Sequence, residues 1–358
     1  MAEPLSQTPA TDGVAARSCH AVYAATIFLS AFLLFVVQPI LAKVILPWFG
    51  GAAGVWATAM LFFQGALLVG YLYARWAVRR LPSSWQALLH VALMGLSLCL
   101  LPIVPAERWR PTGSEEASLR VLGLLGASAG LPYFLLASTG PLMQAWYAHA
   151  ERVAFPYRLF ALSNLGCLLA LLAYPVVIEP LIGTRTQLLA WSWGYVVFCA
   201  LSAAAAARYW VQRRAGPAEE EWSAEPGTPA PDAGTQLLWI ALPACASTLL
   251  LAVTNHLCQN VAAIPLLWVA PLGLYLLSFI LCFDRAGWYR PVWFRWLLPV
   301  TLLGMVFGVV RESSVLPPKL AIVSFGAALF ICSMFCHGEL AALKPHARHL
   351  TSYYLRIA

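Results

Sequence analysis

The chain is poor in charged residues. Only 10% of its 358 residues are Asp, Glu, Lys or Arg, whereas 61% are hydrophobic and the mean hydropathy is +0.74. Soluble domains carry about 25% charged residues, so this sequence cannot cover most of its length with a water-facing surface. No stretch is left over to build a separate soluble catalytic domain. The composition therefore predicts a protein that crosses a membrane several times.

Signals for disulfide, metal and nucleotide sites are also missing. The nine cysteines include no C-x-x-C pair and no zinc-type spacing, so we expect neither a disulfide framework nor a metal site. The glycine-rich stretches 50–54 and 123–130 lack the strand–turn–helix context that a dinucleotide-binding turn requires. We therefore predict no cofactor, no metal and no catalytic residue in this chain, although whether it has an enzymatic activity stays open.

Ten apolar blocks have the length that a membrane helix needs. About 20 apolar residues cross a hydrocarbon core of about 30 Å. The blocks are continuously apolar rather than alternating, which favours helices over a β-barrel. The predicted fold is an all-α, polytopic transmembrane bundle of six spans followed by four, the layout of transporters. The predicted spans are 21–42, 53–75, 86–104, 119–147, 158–180, 187–209, 236–254, 262–283, 293–310 and 320–337.

The positive charges predict the orientation of the bundle. Loops retained in the cytoplasm carry the excess of Lys and Arg. With the amino terminus inside, fifteen of the 22 basic residues are cytoplasmic. Both termini are therefore predicted to lie inside, in a multi-pass protein of the bacterial inner membrane. The net charge of +7 follows from basic loops at an anionic leaflet, so the expected partner is the lipid bilayer and not nucleic acid.

Composition divides the chain into five parts. Residues 1–20 are polar and are predicted to be a disordered cytoplasmic segment ahead of the first membrane half, 21–210. Residues 211–235 are rich in Pro, Gly and acidic residues and are predicted to be a flexible cytoplasmic linker. The second membrane half, 236–337, is followed by a cytoplasmic tail, 338–358.

Four blocks resemble a known family. They are FLLFVVQPILAKVILPWFGGAAGVWATAMLFFQGALLVGYLYA, PYRLFALSNLGCLLALLAYPVVIEP, AAIPLLWVAPLGLYLLSFILCF and CHGELAALKPHARHLTSYYL. Together they resemble the membrane portion of bacterial membrane-bound, transporter-like spermidine-synthase-like proteins, from about residue 21 to residue 355. The resemblance implies a membrane module related to polyamine metabolism.

The resemblance also implies a partner. In that family the membrane portion leads into further helices and an aminopropyltransferase domain of Rossmann type, which this sequence does not contain. A soluble synthase-like domain or chain is therefore an expected partner. Since the sequence stops at TSYYLRIA, where the resemblance leads into another helix, a fragment, a frameshifted product and one half of a split pair all remain open.

Polar residues at membrane depth are the candidate substrate-binding residues, because placing them in lipid is costly. Gln38 lies at the end of the first span, beside Pro39 and Lys43, and Gln64 on the second span is a potential partner. Gln38 could face a cavity. Alternatively, Gln38 bonds a neighbouring helix and Lys43 reaches the head groups.

The fifth span carries two further candidates, Asn164 and Glu179. At 15 residues apart they are separated by about 22 Å along a helix and cannot form one site by themselves. Glu179 could attract a cation such as a polyamine at an entrance, or it could simply be solvated.

The densest polar group lies between the seventh and eighth spans. Asn255 and Gln259 are four residues apart, as are His256 and Asn260, so a helical turn would display two adjacent pairs. Within the bilayer this turn would resemble a broken-helix substrate site, whereas outside the bilayer it would be a hydrated loop.

Metal-capable side chains cluster near the cytoplasmic end of the last span. They are Cys336, His337, Glu339, His346 and His349. A metal site needs several ligands in closed geometry, which spacing alone does not establish, so we predict that these residues face the inner head groups.

Small residues predict where helices pack closely. Gly65 and Gly70 lie on the second predicted span, and Gly123, Gly126 and Gly130 lie on the fourth. Glycine lets two backbones approach each other, so we expect helix–helix contacts at these positions.

Two functions from different classes follow. The first is a non-catalytic membrane module that anchors or serves a polyamine-related enzyme. The second is a transporter or permease for a small, cationic solute, with Gln38, Gln64, Asn164 and the 255–260 group lining its path. The scarcity of carboxylates inside the helices counts against proton-coupled transport.

Overall fold

The all-helical prediction is confirmed for the residues that the structure describes. The structure, a computed structural model, describes residues 10–50, 53–111, 116–150, 156–215, 231–258, 267–310 and 317–358, and these ranges contain no strand. We number the helices in chain order, counting helical segments joined by a π-helical turn as one. They are α1 (Ala10–Phe49), α2 (Ala53–Arg80), α3 (Ser83–Leu98), α4 (Ala117–Ala150), α5 (Arg158–Leu181), α6 (Thr184–Ala215), α7 (Ala233–His256), α8 (Val269–Asp284), α9 (Pro291–Val310), α10 (Pro318–Ala342) and α11 (Leu350–Ile357).

Eight of the described helices are long and apolar enough to cross a membrane: α1, α2, α4, α5, α6, α7, α9 and α10. The chain is therefore a multi-pass membrane protein with a helical bundle. Helices α3 and α8 have 16 residues each. They rise about 24 Å, less than a hydrocarbon core of about 30 Å, so that ten spans remain a prediction.

Several helix ends differ from the predicted boundaries. Helix α1 begins at Ala10, so the described part of the segment 1–20, which we expected to be disordered, is helical and leads into the apolar span that begins at His20. Helix α3 ends at Leu98, whereas the predicted span continued to 104, because Pro102 cannot extend a helix and disfavours helical backbone before it. Helix α8 begins at Val269, and the earlier part of the predicted span 262–283 lies partly outside the described residues.

The predicted linker is bounded by two helices. Helix α6 continues to Ala215, and α7 begins at Ala233 after Asp232, whose carboxylate accepts a hydrogen bond from the Thr235 N–H. This is an N-terminal cap, which satisfies one of the amide groups that the first turn of a helix leaves without a partner. The part of 211–235 between residues 216 and 230 lies outside the described residues.

The first half is built around α1. Helix α1 packs against α4, α5 and α6, while α2 packs against α4 and α3 against α6. Glycine permits two of these contacts. A Cβ atom at Gly166 of α5 would lie 2.8 Å from the Phe28 carbonyl oxygen of α1, and one at Gly70 of α2 would lie 2.9 Å from the Ala137 Cβ of α4. Such distances are too short for a side chain, so glycine sets the helix separation.

The second half is built around α10, which packs against α7, α8 and α9. The two halves meet where α5 packs against α8. At this seam the Phe160 ring of α5 contacts the Phe279 and Phe283 rings of α8, with centroids 5.5 Å and 4.7 Å apart. Offset and edge-on aromatic contacts of this kind stabilise packing beyond the apolar area that they bury.

The outer surface of the bundle is apolar. Helix α9 has no fully buried residue, and Trp296 and Val310 are about three-quarters exposed. Exposed side chains of this kind are expected where helices face lipid.

We name one end of the bundle the inner end. It holds the last turns of α2, α4, α6 and α10, and the basic-residue pattern predicts that it faces the cytoplasm.

The close contact at Gly70 predicts that two glycine substitutions on α2 differ in their effect on stability. We expect Gly70→Ala to lower stability by about 1–3 kcal/mol, because its methyl group must displace the α4 backbone. Gly65→Ala on the same helix should be neutral or slightly stabilising, because nothing lies within 4 Å of a Cβ there. Thermal unfolding of both variants in one detergent tests this, and equal losses would contradict close packing at Gly70.

Candidate functional site

An ion pair joins α1 and α5 at the ends of these helices that lie opposite the inner end. The Lys43 Nζ lies 2.7 Å from Glu179 Oε1, and the Tyr174 hydroxyl donates to Glu179 Oε2 at 3.0 Å. The π-helical turn Tyr174–Ile178, which contains Pro175, precedes the glutamate. Both charged side chains are more than one-third exposed, so the pair is solvated. The Glu179 carboxylate, predicted to attract a cation at an entrance, is therefore already balanced by Lys43.

The structure separates Gln38 from Gln64. The Gln38 amide donates to the Leu34 carbonyl and to the Tyr133 hydroxyl of α4, both at 3.3 Å. Gln38 thus bonds a neighbouring helix, which was the structural alternative for this residue. Gln64 lies on an exposed face of α2, and no hydrogen bond joins it to Gln38 among the described side chains.

The polar group that begins at the end of α7 is described only in part. Asn255 is exposed, and His256 is half-buried with its ring 4.5 Å from the Phe325 ring of α10. Gln259 and Asn260 lie outside the described residues. Whether this turn is a substrate site or a hydrated loop therefore stays a prediction.

Asn164 lies at the seam between the two halves. Phe160, Asn164 and Leu168 are spaced four residues apart and share one face of α5. Phe160 contacts Phe279, and Leu168 Cδ1 lies 3.7 Å from a Cβ built at Gly273, so this face packs against α8. Asn164 is half-buried, and its amide donates to the Phe160 carbonyl at 2.9 Å.

A polar cluster lies directly behind that face, in the second half. The Ser278 hydroxyl of α8 lies 2.8 Å from His337 Nδ1 of α10, and the His337 ring stacks on Phe279 with centroids 3.5 Å apart. Both polar residues are fully buried. Tyr275 packs edge-on against His337, and its hydroxyl lies 3.0 Å from the Ser247 hydroxyl of α7. We name Ser247, Tyr275, Ser278 and His337 the seam cluster.

One atom of the seam cluster has no partner. Among the described residues, His337 Nε2 is buried and makes no hydrogen bond. Polar and ionisable side chains at membrane depth are costly and are candidates for function, and a buried polar atom without a partner requires an explanation. The seam cluster is therefore the best candidate for a polar site within the bilayer.

The metal-capable side chains near the end of α10 point to different partners. His337 bonds Ser278, Glu339 accepts a hydrogen bond from the Tyr289 hydroxyl at 2.6 Å, and His346 accepts one from the Arg348 N–H. Within the described ranges, no three His, Cys, Asp or Glu side chains are close enough to hold a metal ion.

The predicted tail is folded back onto the inner end. We name residues 343–358 the carboxyl-terminal latch. The Tyr157 hydroxyl, just before α5, donates to the Pro345 carbonyl. The Trp239 indole of α7 donates to the Leu343 carbonyl at 3.1 Å. The latch is thus bonded to both halves of the bundle.

The helix of the latch, α11, makes further bonds to both halves. The Tyr354 hydroxyl donates to Gln144 Oε1 of α4 at 2.6 Å, and the Arg356 guanidinium donates to Gln236 Oε1 of α7 at 2.6 Å. Tyr353 and Tyr354 are almost fully buried. Burial, followed by the charges of Arg348 and Arg79, lowers the pKa of His349 at the start of this helix.

A cavity of about 340 Å³ opens at the inner end of the first half. It lies between the last turns of α2, α4 and α6 and the first turn of α3. Its lining includes Arg79, Arg80, His149 and Arg213, together with the buried side chains of Gln86, Trp146 and Tyr209.

The sequence contained weak signals for the two sites that it did not single out. The Arg pair 79–80 follows the predicted span 53–75 and Arg213 follows the predicted span 187–209, but these residues indicated orientation alone. His337 was noted only as a metal-capable residue. Its partner Ser278 is 59 residues away in the chain, so spacing could not reveal the pair.

Comparisons with known proteins assign this chain to no family. No protein-family model matches it, and neither does any curated protein sequence. Its function is therefore inferred from the geometry above together with the sequence resemblance.

The seam cluster gives a stability prediction. We expect Ser278→Ala to destabilise the protein by about 1–3 kcal/mol, because it leaves His337 Nδ1 buried without a partner. Ser324→Ala on α10 is the matched control, since Ser324 is exposed and bonds only the Ala321 carbonyl of its own helix. Thermal unfolding in detergent measures both, and equal midpoints would contradict the Ser278–His337 bond.

Proposed function

We propose that this chain is a membrane module, not itself catalytic, which anchors or serves a polyamine-related enzyme at the cytoplasmic membrane of a bacterium. The observation that carries the proposal is the carboxyl-terminal latch. A segment with the sequence LKPHARHLTSYYLRIA could have been a solvated tail. Instead, hydrogen bonds from Tyr157, Trp239 and Tyr354 fix it between the two halves.

An ordered carboxyl-terminal latch supports an anchoring role for this chain. Ordering the backbone of one residue costs about 1–2 kcal/mol of conformational entropy, so a segment of this length is held only if its contacts exceed that cost. The aromatic contacts of Tyr353 with Trp239 and of Tyr354 with Phe160 help to meet it, with centroids 5.1 Å apart in both pairs. An enzyme associated with this surface would be held in a defined position relative to the membrane.

The class of enzyme comes from the resemblance to membrane-bound spermidine-synthase-like proteins. That resemblance includes the latch itself, within the block CHGELAALKPHARHLTSYYL. Under this proposal an aminopropyltransferase acts beside the inner end, and the membrane helices supply its location and not its chemistry.

Co-purification tests the proposal. The tagged chain, solubilised from its own membranes in mild detergent, should retain an activity that transfers an aminopropyl group to putrescine. High salt should remove that activity from the chain. An activity that stays with the homogeneous chain, or the absence of any activity before the salt wash, would contradict the proposal.

A matched pair of variants connects the activity with the latch. Tyr354→Phe leaves Gln144 Oε1 buried without its partner, at a cost of about 1–3 kcal/mol, and should lower the retained activity. Tyr195→Phe also removes a buried hydroxyl bond, to Ser97, but away from the latch, and should retain the activity of the wild type.

The second candidate function, transport of a small cationic solute, is favoured by one observation. Asn164 lies between the two halves, where transporters of two-half construction bind their substrates, and the seam cluster lies directly behind this contact in the second half. The buried, partnerless Nε2 of His337 is a potential contact for a solute.

Uptake into proteoliposomes tests the second candidate. Under transport, Asn164→Leu or His256→Leu should abolish uptake of radiolabelled putrescine while leaving membrane insertion intact. Ser324→Ala, on an exposed face of α10, should keep full uptake. Uptake that is unchanged in both leucine variants would exclude a transport path along these residues.

A further inference from the structure

We infer that the inner-end cavity is a binding site for a phosphate group, presented by an anionic lipid headgroup or by a soluble phosphate. The cavity has the size of a small-ligand site, since such sites begin at about 300 Å³. This inference is independent of the proposed function, because the cavity is formed by the first half of the bundle alone.

The charge of the lining selects an anion. Two arginines at the end of α2, Arg79 and Arg80, supply this charge, and Arg213 lines the cavity from the end of α6. None of the described residues that line the cavity is an Asp or Glu. Arginine guanidinium groups present several N–H donors in a planar fork, which matches the oxygen atoms of a phosphate.

The first turn of α3 adds to this selection. Leu81, Pro82 and Ser83 line the cavity, and α3, with 16 residues, begins at Ser83 without a side-chain cap. The amino-terminal end of a helix carries a partial positive charge from its aligned peptide groups. The helix end and the arginines therefore favour the same ligand charge.

Hydrogen bonds and ring stacking join the side chains of the cavity wall. The Trp146 indole donates to Gln86 Oε1 at 2.9 Å, and the Gln86 amide donates to the Leu81 carbonyl at 2.9 Å. Trp146 also stacks on Tyr209, with ring planes 9° apart and centroids 5.0 Å apart. These three side chains are at most 5% exposed. A preformed site loses less conformational entropy on binding than a flexible one.

The position of the cavity favours a lipid as the source of the phosphate. Trp76 of α2 and Trp85 of α3 are 48% and 59% exposed, beside the two helix ends that form the cavity. Tryptophan is enriched at the level of the head groups in membrane proteins. Basic pockets between membrane helices on the cytoplasmic side are suited to anionic head groups.

Native mass spectrometry of the detergent-solubilised chain tests the site. Binding of phosphatidylglycerol is titrated and compared with that of phosphatidylcholine. The double variant Arg79→Gln with Arg80→Gln should weaken phosphatidylglycerol binding by about tenfold or more, since two cationic contacts are lost. The matched control, Arg290→Gln with Arg295→Gln, removes the same charge from the predicted cytoplasmic side but outside the cavity and should change affinity by less than about twofold.

A second experiment distinguishes a lipid headgroup from a soluble phosphate as the source of the phosphate group. Thermal unfolding is measured in sodium phosphate and in sodium chloride at equal ionic strength, without anionic lipid. Stabilisation by phosphate that is lost in the Arg79 and Arg80 double variant, without a preference for phosphatidylglycerol, would assign the site to a soluble phosphate. Equal losses in both double variants, or no loss in either, would overturn the site.

A measurement on the wild-type chain covers the case in which the variants fail to fold. Phosphatidylglycerol should slow modification of Arg79, Arg80 and Arg213 by phenylglyoxal, read by peptide mass spectrometry, and leave Arg290 and Arg295 unaffected. Equal slowing at all five arginines would show general surface attraction and contradict a cavity site.

Discussion

Hydrogen bonding inside the hydrocarbon layer is the constraint on which this structure depends. Lipid offers no donors or acceptors, so every backbone N–H and C=O group within the bilayer must be satisfied by the protein. The described chain meets this requirement with helices. Its small polar side chains follow the same rule, since Thr26, Ser30 and Ser138 donate to carbonyl groups one turn earlier in their own helices. The bundle can therefore contain polar side chains in its interior while its lipid-facing surface remains apolar.

Several buried polar groups are satisfied by a partner on another helix, and two of these bonds lie at the seam cluster and the latch. His337 reaches across to Ser278, and Tyr354 reaches Gln144, 210 residues away in the chain. Each of these bonds joins two helices, so each fixes a helix position as well as a side chain. The latch and the seam cluster therefore follow from one rule, because a buried polar group requires a partner and the partner lies on another helix.

The sequence predicted the helices better than the sites. Each of the ten predicted spans coincides, at least in part, with a described helix, because a continuously apolar block is a local signal. The end of α3 was placed too late because apolar Leu100, Leu101 and Ile103 continue the block beyond the helix. Among the packing glycines, Gly70 is at a close contact, whereas Gly65 and Gly126 have open space around them. Helical spacing predicts on which face of a helix a residue lies, but not which residue of a neighbouring helix it contacts.

The sites depend on contacts that are distant in sequence. Glu179 was predicted to attract a cation, yet its charge partner Lys43 is 136 residues earlier in the chain. Asn164 could be placed on a helix but not on the seam until Phe160 and Leu168 showed which face meets α8. The cavity combines residues from four helix ends, and no local pattern records that they meet.

Residues 343–358 form a fixed latch between the two halves. Hydrogen–deuterium exchange of the chain in lipid nanodiscs measures this directly, because amide protection reports the free energy of local opening. Amide groups in the helix Leu350–Ile357 should exchange as slowly as those in the buried part of α10, and Tyr354→Phe should accelerate them. Complete exchange of this helix within seconds in the wild-type chain would contradict the latch.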